Sequence, residues 1–147
     1  MSQKGRSYLA IPGPSIIPER VLNAMHRPSP DIYKGELHEL TASLIPDLQT
    51  VAQTEAKVAI YIANGHGAWE AAIANTLSPG DEVLTLATGR FAFGWAEIAE
   101  KLGVKITVLD FGKSSGVNLE KVEEILTKDI SNKFKAILVA HTDTSTS

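Results

Sequence analysis

The 147-residue sequence contains no cysteine. Disulfides, thiolate metal sites and cysteine nucleophiles are therefore excluded by composition alone. It also lacks an uninterrupted apolar run of about 18 residues, the length a membrane-spanning helix requires. The opening, MSQKGRSYLAIPGPS, has no apolar core of the kind a secretory signal carries, so the expected address is cytoplasmic. Charge of one sign is missing too: 14 Lys and Arg stand against 17 Asp and Glu, interspersed, for a net of −3. Without a basic stripe, neither nucleic acid nor a membrane surface is an expected partner. What the chain does have is 44% apolar residues, enough for the core of one ordinary domain.

The first segment is rich in proline and glycine. IPGPSIIPERVLNAMHRPSPDIYKG reads as an extended arm over residues 1–36, with a short helix at 18–25 where proline can occupy the first turn. From 37 to 54, Leu37, Leu40, Leu44, Ile45, Leu48 and Val51 recur at three- and four-residue steps, the pattern of one helix face, with Pro46 inside it. Residues 57–63, KVAIYIA, predict a buried strand, and 67–77, GAWEAAIANTL, a helix stopped by Ser-Pro-Gly-Asp. The cycle then repeats. EVLTLAT is a strand, and FAFGWAEIAEKLG a helix turning Trp95, Ile98, Ala99 and Leu102 inward. VKITVLDF is a strand, Asn118 caps a helix with a stripe of Leu119, Val122, Ile125 and Leu126, and FKAILVAH is the last strand. Strands alternating with helices predict an α/β fold, a mostly parallel sheet in three layers with helices on both faces.

In such folds ligands bind beyond the carboxyl ends of the strands, which brings three loops together: 64–67, 88–93 and 141–147. Gly65, His66 and Gly67 at a strand-to-helix corner allow close backbone approach, and the amides of a first helical turn favour an anion such as phosphate. A tight corner with no ligand favours glycine equally. The dinucleotide fingerprint is absent, because Glu70 stands where its third glycine belongs. His66 is either a base or stacking group, or a capping and packing residue. Phe91 and Phe93 offer a face for a flat heteroaromatic ring, or belong to the core. Arg90 either binds an anion or lies in solvent. The hydroxyl-rich HTDTSTS either donates to a ligand oxygen or caps a helix. No G-x-S-x-G elbow is present to support a hydrolase.

Together, IPGPSIIPERVLNAM, ANGHGAWEAAIANTLSPGDEVL, GRFAFGWAEIAEKLG and VAHTDTSTS resemble, in order and spacing, the N-terminal part of class V aminotransferases that use pyridoxal 5'-phosphate. Among these the serine–glyoxylate and alanine–glyoxylate aminotransferases are most alike. The resemblance implies that residues 37–147 form part of the large domain of the fold-type I architecture, truncated at its C-terminus. Gly65 and His66 match the positions that bind the cofactor phosphate, with Asn64 beside them. Phe91 matches the ring-stacking position, occupied by Trp in some relatives. Ser145, with Thr144 next to it, matches the hydroxyl that approaches the phenolic oxygen of the pyridine. Pro12 and Gly13 match the arm lining the substrate carboxylate pocket. Tyr33 and Lys34 stand where glyoxylate-using relatives tend to have His-Arg. Expected partners are a small amino acid, a 2-oxo acid and a second copy of the chain in a homodimer.

The same resemblance implies residues that are not here. The lysine that holds the cofactor aldehyde as an imine and the aspartate that pairs with the pyridine nitrogen are expected downstream of Ser147, and no lysine present matches the catalytic one. The sequence thus reads as a fragment carrying half of an active site. The alternative from another class is a phosphate- or nucleotide-binding α/β module, or an inert remnant.

Overall fold

The computed structural model describes residues 9–11 and 13–146. The chain divides into two compact units, Met1–Ile60 and Tyr61–Ser147. In the first, α1 (Glu19–Met25) begins after Pro18, and α2 (Glu36–Val51) starts at Gly35, whose φ of +81° only glycine adopts without strain. Pro46 lies within α2, where it leaves the Ala42 carbonyl without its usual helical donor; the helix nonetheless runs to Val51. Neither helix buries a residue fully.

The second unit alternates helix and strand: α3 (Gly65–Thr76), β1 (Glu82–Ala87), α4 (Arg90–Lys101), β2 (Lys105–Asp110), α5 (Leu119–Lys128) and β3 (Phe134–Val139). The strands form one parallel sheet in the order β2-β1-β3. β1 is central, flanked on both edges and buried from Val83 to Ala87, so it reads as a continuous apolar run. Alternation sends Val83 to one face and Leu84 and Leu86 to the other. On the first face Val83 packs with Ile73 of α3, Ala99 of α4, Val104 and Leu138. On the second, Leu84 and Leu86 meet Val122 of α5, with Leu109, Ile125 and Phe134 around them. Each of these aliphatic side chains contributes about 1.5–3 kcal/mol by leaving water. α4 lies flat on its face because the residues it buries are small, Ala92, Ala96 and Ala99. Asn118 caps α5 by accepting from the Lys121 amide at 3.1 Å. Three layers and a parallel sheet are as the sequence predicts.

One expected element is not formed. Residues 57–63 pair with no strand, and Ile62 is fully exposed. A strand is stable only beside another strand, and residues 57–63 form no ladder with the outer edge of either β2 or β3. Among the described residues no helix is long and apolar enough to cross a membrane.

Candidate functional site

Three chain segments of the second unit converge at the carboxyl end of β1: the start of α3, the start of α4 and the turn after β3. Asn64 is the N-cap of α3, its carboxamide oxygen accepting from the amides of His66 (3.1 Å) and Gly67 (3.3 Å). Two of the three donors that the sequence reading offered to a ligand are therefore held by the Asn64 side chain, whose oxygen sits where an anion's oxygen would. Gly65 is open: a Cβ there would touch nothing, so ligand can approach its backbone. Gly67 is closed, because a Cβ would come within 2.5 Å of Ala63 Cβ.

Aromatic rings fill the space between the two helix starts. His66 lies 4.8 Å from Trp69 edge-on, and Phe91 lies 6.1 Å from His66 and 6.0 Å from Trp69. Trp69 stacks on Trp95 of α4 at 5.5 Å with planes 12° apart. Phe91 is half-buried, with its own backbone at the head of α4; Phe93 points away and is exposed.

The start of α4 is built from a distance. Its N-cap is Gly89, which has no side chain to cap with. The turn after β3 supplies the acceptors instead. Asp143, 2% exposed, accepts at Oδ2 from the amides of Phe91 (2.8 Å) and Ala92 (3.1 Å). Its Oδ1 accepts from the Ser145 amide (3.0 Å) and the Ser145 hydroxyl (2.7 Å), and Ser145 Oγ in turn accepts from the Arg90 amide at 2.9 Å. All three first-turn amides of α4 are thus satisfied by residues more than fifty positions later, with a carboxylate on the positive end of the helix. Burial pushes the Asp143 carboxyl up, but the Ser145 hydroxyl and the amides of Ser145, Ala92 and Phe91 outweigh it and hold the group below the usual aspartate value. Gly89 is glycine because these atoms need its space: a Cβ would lie 2.5 Å from Asp143 Cγ and 2.6 Å from Ser145 Oγ.

The predicted residues fall out as follows. Asn64, Gly65, His66, Phe91, Thr144 and Ser145 all lie in this one region. Ser145 is committed on both sides, its proton to Asp143 and its oxygen to Arg90. Thr144 is exposed, and its hydroxyl makes no hydrogen bond among the described residues. The Arg90 backbone is part of the construction while its side chain lies in solvent. Pro12 lies outside the described residues, and Gly13 is exposed in the first unit. Asp143 was not singled out by the sequence reading; its signal was an isolated acid among hydroxyls after a buried strand, combined with a helix whose own N-cap is glycine. A cavity of about 440 Å³ is lined by Asp143 together with Thr88, Lys113, Gly116, His141 and Thr142 among others.

A pyridoxal phosphate fits the first region in part. The Phe91 ring gives an aromatic platform, Gly65 an open backbone and Thr144 a free hydroxyl, whereas a phosphate at the α3 corner has to displace the Asn64 oxygen. The described residues contain no group of His, Asp or Glu able to hold a metal ion.

No family model matches the chain. Serine–glyoxylate aminotransferase of Methylorubrum extorquens is 38% identical over 97% of the chain and 36% of its own length. Ureidoglycine–glyoxylate aminotransferase of Bacillus subtilis superposes with a TM-score of 0.67 at 25% identity, covering 80% of this chain and 31% of that one. Alanine–glyoxylate aminotransferase of Nostoc sp. does so with a TM-score of 0.59 at 28% identity, covering 86% and 36%. The chain spans about a third of the length of the curated relatives it matches. Along nearly all of its sequence and in its α/β architecture, this chain is similar to class V aminotransferases, its relatives bearing the names serine–glyoxylate and alanine–glyoxylate aminotransferase.

Proposed function

We propose that the protein transfers an amino group from a small amino acid, serine or alanine, to a 2-oxo acid such as glyoxylate, with pyridoxal 5'-phosphate as cofactor, and that this chain carries one half of the cofactor site. The observation that carries the reading is the convergence at one strand end of an open glycine corner at a helix start, an aromatic platform and a free hydroxyl. A phosphorylated, flat, hydroxyl-bearing ring asks for these three features together. Several of the similar proteins point the same way: glyoxylate recurs in their names while the amino partner changes among serine, aspartate, alanine and ureidoglycine.

Bound pyridoxal phosphate supplies a conjugated ring that takes up the electron pair an amino acid releases when it loses its α-proton. The residues of this chain bind and orient. Gly65 and His66 would hold the phosphate at the positive end of α3 once the Asn64 oxygen gives up its place there. Phe91 would offer its face to the ring, and the free hydroxyl of Thr144 would donate to the phenolic oxygen, with Ser145 holding the turn beside it through Asp143 and the Arg90 amide. The lysine and the aspartate that complete the chemistry come from outside the third of the relatives' length that this chain matches. A cytoplasmic homodimer is the setting the resemblance implies.

The test is an assay of the protein encoded by the whole gene, read through the codons after Ser147. With added pyridoxal phosphate, serine and glyoxylate, glycine and hydroxypyruvate should accumulate in equal amounts. Absence of amino transfer from serine, alanine and aspartate alike, together with no pyridoxal phosphate binding, overturns the proposal and leaves a phosphate-binding module.

A further inference from the structure

We propose that Asp143 is the positioning residue of this site: it fixes the Phe91 ring and the 144–145 hydroxyls in one relation to each other, so that a planar hydroxyl-bearing ring meets both at once. The inference rests on the half-site reading for the class of ligand, a pyridoxal-type ring, and on geometry for everything else.

Two segments that must act on one ligand arrive from far apart in sequence, and Asp143 is the group that joins them. Its two oxygens divide the work. Oδ2 takes the amides of Phe91 and Ala92, setting the backbone from which the Phe91 ring projects. Oδ1 takes the amide and hydroxyl of Ser145, folding the turn that presents Thr144. Four hydrogen bonds to one carboxylate leave it almost no freedom, and its 2% exposure keeps water from competing for them. The Phe91 ring is in turn wedged against His66 and Trp69 of α3, so the fixed backbone at α4 is transmitted to the phosphate corner through ring contacts. Gly89 is the complement, since the space a side chain would take there is occupied by the Asp143 carboxylate and the Ser145 hydroxyl.

The experiment compares the full 147-residue chain with its Asp143→Asn variant by amide hydrogen exchange and by binding of two probes, pyridoxal phosphate and inorganic phosphate. A carboxamide keeps the size of the side chain but turns an NH2 toward donors. The amides of Arg90, Phe91 and Ala92 should exchange on the order of tenfold faster, while those of Leu84 and Leu86 in β1 keep their rates. Pyridoxal phosphate should bind on the order of tenfold more weakly, with phosphate affinity changed less than about twofold. Unchanged exchange at the head of α4 overturns the proposal. So does an equal loss of both ligands accompanied by lost protection in β1, which is the mark of a purely structural role. If the wild-type chain binds no pyridoxal phosphate, the half-site reading fails, and the exchange contrast alone decides whether Asp143 sets Phe91. Should Asp143→Asn fail to fold, Ser145→Ala removes one of the four bonds: selective exposure of the Arg90 amide with weaker pyridoxal phosphate binding supports the same arrangement, and no selective change refutes it.

Discussion

Thr85 sits at the middle of the central strand, fully buried, and its hydroxyl has no partner among the described residues. A buried hydroxyl without a hydrogen bond forgoes its interaction with water and gains nothing in return. Thr85→Val keeps the shape and removes the polar atom, so urea unfolding should show a gain of about 0.5–1.5 kcal/mol, and a loss would reveal a partner the hydroxyl finds in solution. Asn64 is a residue on which stability and binding pull in opposite directions. Asn64→Asp preserves the cap on His66 and Gly67 and adds a negative charge at the positive end of α3, worth about 0.3–1 kcal/mol of extra stability. The same charge repels a phosphate, so the melting temperature should rise or hold while phosphate affinity falls. If both rise together, the anion does not bind at this corner. The open corner at Gly65 was legible in the sequence because corner chemistry is local, whereas the cap that Asn64 forms on α3 is seen only in the structure. Asp143 was not legible, because its partners Phe91 and Ala92 are brought to it only by the finished sheet.

Among the elements, α4 shows how a helix start can belong to another part of the chain. Its first-turn amides depend on Asp143 and Ser145, and Gly89 leaves room for both. Gly89→Ala puts a methyl 2.5 Å from Asp143 Cγ, and because the neighbours are a buried carboxylate and a tight turn, the expected cost is about 2–4 kcal/mol by denaturant unfolding. A cost under about 0.5 kcal/mol would show that the turn after β3 moves freely. The same junction sets a pH dependence. Asp143 is held below the ordinary aspartate value in the folded chain, so its bonds stabilise fully above the unfolded value near about 4 and are lost as pH falls through the lower folded one. The stability of wild type minus that of Asp143→Asn should therefore shrink as pH falls below the ordinary aspartate value near about 4, and a difference that grows on acidification contradicts the cap. Helix and strand order was legible from periodicity here, since β1 to β3 alternate with strongly amphipathic α4 and α5. Residues 57–63 have the same apolar signature, but forming a strand depends on a neighbouring edge, which no local pattern encodes.

At the scale of the whole molecule, the apolar surface left in water is the dominant fact. Val51 is 82% exposed, Tyr61 67% and Ile62 wholly so, and the apolar positions of α2 that pattern analysis assigns to a buried face are not fully covered. Leaving side chains of this size in water forgoes about 1.5–3 kcal/mol each, and contiguous apolar surface on a water-soluble chain usually marks an interface. The relatives, of which this chain matches about a third, are longer molecules, and the unpaired run at 57–63 is the kind of segment that further strands or a second copy would cover. The 147-residue chain should therefore associate with itself, its sedimentation coefficient rising over roughly a hundredfold range of concentration. Replacing Ile60 and Ile62 together by Asp should lower that rise, because both side chains are exposed in an apolar run that pairs with no strand. Substituting Val51 by Asp separates the two surfaces: if it abolishes association while the Ile60 and Ile62 double variant does not, α2 and not the 57–63 run is the face that seeks a partner.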